Sequence, residues 1–289
     1  MTHYDLHCHS TASDGSLSPT ALIHRALDKG VDVLALTDHD GTEGLAHASA
    51  AAAGTALTLI NGVEISVSWH TKTIHIVGLN VDPANQRLQQ GLSGLRRYRQ
   101  QRAEEIAKRL DKAGIAGALA GASKYASATM LGRVHFAKFL VETGHARDMS
   151  DVFKRFLVRT KPGYVPGQWA ALEDAVGWIT ASGGQAVIAH PARYKMTATK
   201  LHALITDFKA AGGIGFEVAS GKQHPEEVKV MARIANQHEL FASCGSDFHS
   251  PDKQWSELGQ ITALPKESTP IWQLWQSSPF ITPISGSPQ

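Results

Sequence analysis

The segment DLHCHSTASDG, almost at the start of the sequence, contains residues that can bind a metal ion. On an extended strand, residues i and i+2 point to the same side and residue i+1 points to the other. His7 and His9 are therefore expected to reach one site together, while Cys8 points away into packing. Asp14 follows in the loop, within reach of the same strand end. Imidazole and carboxylate groups placed together in this way are typical ligands of divalent metal ions.

The same spacing occurs near the other end of the sequence, in CGSDFH. Asp247 and His249 are expected to face one side there, with Phe248 on the other. A lone histidine is more often a hydrogen-bonded core residue than a ligand, and an H-x-H pair alone is a weak signal. Four further ligand candidates, however, lie on or at the end of short apolar segments: His39 in TDHD, Glu64 in GVE, His75 in TIHIVG and His190 in AHP.

Seven short apolar segments are predicted to be strands, and most of them are separated by helical patterns. They are YDLHCH, VDVLALTDHD, LTLINGVEISV, KTIHIVGLN, QAVIAHP, GIGFEVASG and LFASCGSDFH. This alternation predicts an α/β fold with a parallel sheet, closed at this length into a barrel. Only SWHT separates the third and fourth strands, which favours a hairpin there. The ends of barrel strands converge on one mouth, where active sites lie.

Residues 83–167 do not continue the alternation of strands and helices, because they contain amphipathic helical patterns and no clear strand. We interpret them as an all-helical insertion, a lid or substrate-binding unit, within a barrel domain formed by residues 1–82 and 168–289. The tail SSPFITPISGSPQ is expected to be loosely held.

The nine candidate ligands are too many for one ion, since each metal takes about three to six ligands including water. Two or three divalent ions are therefore expected. Nitrogen and oxygen ligands without thiolate suit manganese, iron or zinc, and manganese is the first choice. The candidate metal ligands are His7, His9, Asp14, His39, Glu64, His75, His190, Asp247 and His249.

Composition predicts an ordinary globular protein. The chain has 289 residues, a formal net charge of +2 and a hydrophobic fraction of 43%. The modest charge favours a small substrate over long nucleic acid. Two cysteines are too few for a disulfide scaffold and fit a reducing compartment. Neither a signal peptide nor a membrane helix is indicated, so a cytoplasmic location is expected.

Together, DLHCHSTASDG, ALTDHDG, GVEIS, IHIVG, AHP and SDFH resemble the motifs of the PHP (polymerase and histidinol phosphatase) superfamily. The helical region with LGRVHFAKFLVETG and KPGYVP is similar to that of its stand-alone TrpH-like phosphoesterases. The resemblance implies a distorted (β/α)7 TIM-like barrel with a trinuclear metal centre. It also implies three ligand sets: His7, His9, Glu64 and Asp247; Glu64, His75 and His190; and Asp14, His39 and His249.

Closely spaced divalent ions suit phosphoester hydrolysis, because they activate water and neutralise phosphoryl charge. A hydroxide bridging the metals is the expected nucleophile, and Asp14 or a nearby histidine is expected to protonate the leaving alkoxide. The candidate catalytic residues are Asp14, His39, Asp247 and His249. A second phosphate on the substrate needs further cationic or donor groups, for which the candidates are Arg102, Arg133, His135, Lys161, Arg193 and Lys222.

The resemblance implies a phosphatase acting on a nucleoside 3′,5′-bisphosphate such as pAp, with 5′-to-3′ exonuclease activity on short RNA as a linked possibility. Histidinol-phosphate phosphatase is the second alternative. An amidohydrolase also begins with H-x-H, but no clear bridging lysine is found on a central strand. A non-catalytic metal-binding domain, like those attached to some polymerases, is disfavoured by the complete ligand set.

Overall fold

A computed structural model describes residues 2–126, 130–252 and 256–277 of the chain. All seven predicted strands are present, and they form one sheet in chain order. Their bounds are β1 Tyr4–Cys8, β2 Val33–Leu36, β3 Thr58–Trp69, β4 Lys72–Leu79, β5 Gln185–Ile188, β6 Gly215–Ser220 and β7 Phe241–Gly245. The predicted loose tail, apart from its first residue, lies outside the described residues.

Nine α-helices occur in the described residues. They are α1 Pro19–Asp28, α2 Leu45–Ala52, α3 Gln86–Lys112, α4 Ala118–Ser123, α5 Arg133–Glu142, α6 Met149–Val152, α7 Leu172–Ala181, α8 Ala198–Ala210 and α9 Pro225–Gln237. A π-helical turn covers Phe153–Leu157, and 3₁₀ helices cover Pro191–Tyr194 and Ile271–Ser277. Local sequence sets their ends: Ser18 caps α1 by accepting a hydrogen bond from the Ala21 amide. In the described segments, every helix is too short or too polar to span a lipid bilayer.

The sheet is mixed, so the prediction of a parallel sheet is wrong for one strand. β4 runs antiparallel to both β3 and β5, whereas the other four strand pairs are parallel. The predicted hairpin between β3 and β4 is confirmed, with Trp69 paired to Lys72. A connection this short cannot make the crossover that parallel neighbours require.

The first and last strands meet and nearly close the sheet into a barrel. Cys8 and Phe248 form a parallel bridge. The His9 amide donates to the Phe248 carbonyl at 2.9 Å, and the Asp247 amide donates to the His7 carbonyl at 2.8 Å. The two i, i+2 pairs are thereby side by side. Cys8 and Phe248 are both fully buried in the core against α1 and α2, as predicted.

Part of the helical region between β4 and β5 has a hydrophobic core of its own. Its buried members, such as Ile106, Leu110, Phe136 and Leu140, all come from residues 103–157. The first half of α3 instead packs on the barrel side, where Leu88, Leu92 and Leu95 join the main core with residues of α7. Helix α3 therefore connects the helical region to the barrel.

Candidate metal centre and substrate cavity

The Glu64 carboxylate lies at the centre of a histidine cluster. Its Oε1 is 2.9 Å from His75 Nδ1 and 2.9 Å from His190 Nε2. Its Oε2 is 2.9 Å from His39 Nδ1 and 3.3 Å from His9 Nε2. The side chain is fully buried. A carboxylate that presents both oxygens to different histidines is placed to bridge two ions.

Two aspartates complete the cluster on either side. Asp247 Oδ1 is 3.2 Å from His9 Nε2 and 3.5 Å from His7 Nε2. Asp14 Oδ1 is 3.2 Å from His249 Nε2 and 3.8 Å from His39 Nε2. The structure thus brings all nine candidate ligands into one cluster, although Glu64 and His75 lie within β3 and β4 and not at the ends of those strands.

The hydrogen-bond pattern of the cluster fits metal ligands better than a hydrogen-bonded polar core. In the described parts of the chain, seven buried side-chain nitrogen or oxygen atoms lack a hydrogen-bond partner, and five belong to this region. They are Asp14 Oδ1, His39 Nδ1, Glu64 Oε2, His190 Nδ1 and Glu217 Oε1. Buried polar groups normally have partners. Three of these atoms, Asp14 Oδ1, His39 Nδ1 and Glu64 Oε2, lie 2.9–3.8 Å from atoms of other candidate ligands, an arrangement that suits a shared cation.

Four overlapping groups in the cluster have ligand atoms within 4.8 Å of one another, close enough to hold an ion. The group His9, Asp14, His39 and His249 contains the third set implied by the family resemblance. The group His7, His9 and Asp247 matches the first set without Glu64. The remaining two groups divide the second set, with Glu64 in both: His7, Glu64 and His190; and His39, Glu64 and His75.

Two of the candidate ligands owe their position to unusual backbone, not to strand alternation. Asp247 has φ 51° and His190 has φ 31°, in the left-handed region that L-residues disfavour. Both residues come after the last residue of their strand. The prediction that Asp247 and His249 converge through i, i+2 alternation is therefore wrong in its reason, although the two side chains do meet. Backbone strain of this kind clusters at functional sites.

The carboxylates of the cluster are held ionised. Burial alone would raise the pKa of Glu64, but His75, His39 and His7 hold it well below the ordinary value. Burial likewise opposes the effect of His249 and His7 on Asp247, whose pKa nevertheless stays well below its usual range. The pKa of His9 shifts in the opposite direction. Burial disfavours the His9 imidazolium, yet the carboxylates of Asp247 and Glu64 raise its pKa to about 10.

These shifts predict that metal binding is linked to proton release. The pKa of His7 is also raised well above its ordinary value, because Glu217, Glu64 and Asp247 outweigh burial. The His7 and His9 rings are therefore imidazolium ions, with both nitrogens protonated, at pH 7 in metal-stripped protein. A metal ion must displace one proton from each ring that it binds. We expect the binding of Mn²⁺ to release about one to two protons. Between pH 6 and 8, the affinity for Mn²⁺ should then rise about tenfold per pH unit for each proton released. Calorimetry in buffers of different ionisation enthalpy measures both; binding that is independent of pH would contradict the assignment.

Two residues that sequence reasoning missed hold the ligands in place. The Tyr194 hydroxyl accepts a hydrogen bond from the His75 amide at 2.8 Å. Glu217 Oε2 accepts one from the His190 amide at 2.6 Å and lies 3.1 Å from His7 Nδ1. A signal for Glu217 was present, since it is a charged residue inside the apolar strand GFEVAS.

A cavity of about 290 Å³ lies between the cluster and the helical region. Asp14, His39 and His75 line it on the barrel side. The opposite wall carries mostly basic and aromatic residues: Arg99, Arg102, Arg133, His135, Phe153, Tyr164 and Trp169. One cavity therefore has a metal-ligand cluster at one wall and cationic groups at the other.

The residues of the basic wall are held by the helical region. Arg102 donates from Nε and Nη2 to the Val165 carbonyl at 3.2 and 2.9 Å. His135 Nδ1 accepts from the Gly132 amide at 3.0 Å, so a neutral ring carries its proton on Nε2. Burial lowers the pKa of His135 to about 4, which keeps it neutral at pH 7. His135 is thus a hydrogen-bond donor and not a cation.

Arg99 was not singled out in the sequence, although it lies in the basic segment RRYRQQR. Its Nε donates to Asp40 Oδ2 at 2.6 Å and its Nη2 to Ser66 Oγ at 2.8 Å. The guanidinium also lies 4.8 Å from the ring centroid of Trp169. Arg99 therefore joins α3 to the residue that follows His39, while it lines the cavity.

The remaining predicted substrate residues lie elsewhere. Arg193 is at the mouth of the barrel, paired with Asp247 and donating to Ser220 Oγ at 2.9 Å. Lys161 and Lys222 have exposed side chains and do not line the main cavity. The prediction that these two lysines bind substrate gains no support from their positions.

The chain belongs to the PHP domain family, whose pattern matches residues 5–218. Two curated relatives are similar over nearly the whole chain. A 3′,5′-nucleoside bisphosphate phosphatase from Chromobacterium violaceum is 50% identical over 274 residues, 94% of this chain and 96% of the relative. A 5′-3′ exoribonuclease, Rnm, from Escherichia coli is 49% identical over 275 residues, 94% of each. The predicted family is confirmed, and its members of this type are metal-dependent phosphoesterases.

A solved structure confirms the predicted fold class. A protein from Chromobacterium violaceum, described as an amidohydrolase with bound sulfate and no metal, superimposes with a TM-score of 0.92. It is 48% identical, and the match covers 98% of this chain and 99% of that one. The two proteins therefore share one fold over nearly their whole lengths.

Proposed function

We propose that this protein hydrolyses a phosphomonoester of a nucleoside 3′,5′-bisphosphate such as pAp to give a nucleoside monophosphate. The observation that carries the proposal is the two-sided cavity. Its barrel wall bears three of the candidate metal ligands, Asp14, His39 and His75, and its helical wall bears Arg99, Arg102, Arg133 and His135. Such a cavity suits a substrate with two phosphates, one for each wall. The 50% identical bisphosphate phosphatase supports the same substrate class.

The nine candidate ligands would hold two or three divalent ions, with Mn²⁺ as our first choice and Fe²⁺ or Zn²⁺ as alternatives. Bound cations lower the pKa of coordinated water and neutralise phosphoryl charge. We assign three tasks to the protein's own side chains. Glu64 would hold the ions together. Asp14, which lines the cavity and pairs with His249, would move a proton toward the leaving oxygen, and the basic wall would orient the second phosphate.

We further propose that residues 83–167 form a substrate-binding insertion on a barrel domain made of residues 1–82 and 168–289. The separate hydrophobic core of residues 103–157 supports this division. Arg99, Arg102, Arg133 and His135 of the helical wall also come from this insertion. The two buried free cysteines fit the cytoplasmic location that we propose, and no membrane partner is invoked.

A comparison of substrates tests the proposal. We expect phosphate release with Mn²⁺ to be at least about a hundredfold faster, as kcat/KM, for pAp than for AMP or histidinol phosphate, because a second charged contact contributes about 2–5 kcal/mol when it is desolvated. Preference for histidinol phosphate would overturn the substrate class while leaving the metal centre intact.

A second activity is favoured by the relative from Escherichia coli. We propose that the same centre removes nucleotides from the 5′ end of short RNA, because a phosphodiester beside a 5′-phosphate presents the same two charges. Tyr164 and Trp169 in the cavity wall offer faces for base stacking. A 5′-phosphorylated RNA trinucleotide, resolved on a gel, is expected to shorten from its 5′ end. An intact trinucleotide alongside hydrolysed pAp would restrict the activity to small nucleotides.

A further inference from the structure

Glu217 is a buried carboxylate that contacts two candidate ligands without belonging to any ligand group. Its side chain lies in β6 and is 3% exposed. One oxygen, Oε2, accepts a hydrogen bond from the His190 amide at 2.6 Å and lies 3.1 Å from His7 Nδ1. None of the four groups in the described residues that could hold an ion includes Glu217. Its place is behind the ligands, on the side away from the cluster centre.

The contact with His7 determines which nitrogen of that ring is free to bind a metal. A neutral imidazole has one protonated nitrogen and one lone pair. When the Nδ1–H group of His7 donates a hydrogen bond to Glu217, the lone pair of the ring is on Nε2. This nitrogen lies 3.4 Å from Glu64 Oε1 and 3.5 Å from Asp247 Oδ1. His9 Nε2 lies 3.2 Å from His7 Nε2. The carboxylate therefore selects the tautomer that aims His7 at the cluster centre.

The contact with His190 acts on the backbone. His190 has φ 31°, in the left-handed region that residues other than glycine rarely adopt. Its amide is held by Glu217 Oε2, and its Nε2 is thereby placed 2.9 Å from Glu64 Oε1. A single carboxylate oxygen thus fixes one ligand on β1 and another after β5. The two contacts act on ligands that the family resemblance assigns to different metal ions.

We propose that Glu217 is a positioning residue that sets the metal affinity of the centre by orienting His7 and His190 through hydrogen bonds. The inference rests on the proposed metal centre, but it does not depend on which phosphoester is hydrolysed. The role that we assign is hydrogen-bond acceptance by one correctly placed oxygen. The negative charge of Glu217 has two opposing effects on metal binding, because it attracts a cation and also favours the protonated His7 ring. This distinction gives different expectations for three substitutions.

The test measures Mn²⁺ affinity and stoichiometry by calorimetry on metal-stripped protein, without substrate. Glu217→Ala is expected to weaken binding about 10–100-fold, the range typical of removing an outer-shell partner. Glu217→Gln keeps a carbonyl oxygen that can accept both hydrogen bonds, and it is expected to stay within about threefold of the original protein. Glu217→Asp keeps the charge but shortens the side chain, so it is expected to lose about tenfold.

Glu227 provides a matched control, because it lines the same small cavity as Glu217, His190 and Arg193 but has an exposed side chain. Glu227→Ala is expected to bind Mn²⁺ as the original protein does. If Glu217→Ala does not fold, the Gln and Asp variants still decide the matter. Unchanged affinity in Glu217→Asp, or affinity in Glu217→Gln as weak as in Glu217→Asp, would overturn the proposal. Hydrolysis of a different phosphoester would leave it standing and would overturn only the proposed substrate.

Discussion

Glu64→Ala is expected to reduce phosphoester hydrolysis by at least about a thousandfold, equivalent to about 4 kcal/mol of transition-state stabilisation. The reason is that Glu64 offers one oxygen to His75 and His190 and the other to His39 and His9. In the proposed centre, removal of this carboxylate would leave adjacent ions without a common ligand. Metal content by mass spectrometry and hydrolysis of pAp should fall together, while circular dichroism and the melting temperature report a folded protein.

Asp247→Ala and the double change His7→Ala/His9→Ala are expected to behave in the same way. Glu257 is a suitable control carboxylate, because it pairs with Arg25 at 2.6 Å and is not among the candidate ligands. Glu257→Ala should retain metal and activity. Full hydrolysis by a folded Glu64→Ala protein that has lost its metal would exclude the metal-dependent mechanism.

Arg133→Ala is expected to reduce kcat/KM for pAp about a hundredfold and to change hydrolysis of p-nitrophenyl phosphate by less than about threefold. Arg133 is the first residue of α5 and lines the cavity, with its guanidinium 5.7 Å from the ring centroid of Phe153. Its charge can therefore reach a second phosphate without touching the cluster. A simple aryl phosphate has no second phosphate, so it should not sense the change.

Arg97 is the matched control for this experiment. It is an arginine of the same helical region, but its Nη1 donates to Ser93 Oγ on an exposed face of α3, away from the cavity. Arg97→Ala should leave both substrates unaffected. Equal losses on pAp and on the aryl phosphate in Arg133→Ala would show that Arg133 supports the structure of the cavity and does not recognise the second phosphate.

Much of the site was predictable because its candidate ligands are concentrated in short motifs within strands or soon after them. His7 and His9 could be paired from spacing alone, and a nearly closed barrel explains why they meet Asp247 and His249. The number of candidate ligands, nine, also predicted more than one ion before any distance was known. These inferences use only local geometry and the convergence of strand ends.

Other features depend on the folded backbone and could not be deduced from local sequence. Asp247 and His190 adopt φ values that local sequence preference disfavours, and surrounding hydrogen bonds hold them there. The direction of β4 followed partly from the short link after Trp69, but its antiparallel pairing with β5 did not. Glu217 and Arg99 act through partners 27 to 210 residues away, so their roles emerge only from tertiary contacts.

The measurement that tests the central claim most directly is phosphate release from pAp by metal-stripped protein as Mn²⁺ is added back. The account predicts no hydrolysis in the stripped, folded protein and activity that rises with bound metal to saturate at about two or three ions per chain. Hydrolysis that persists without bound metal, or saturated binding of metal with no hydrolysis of pAp, would contradict it.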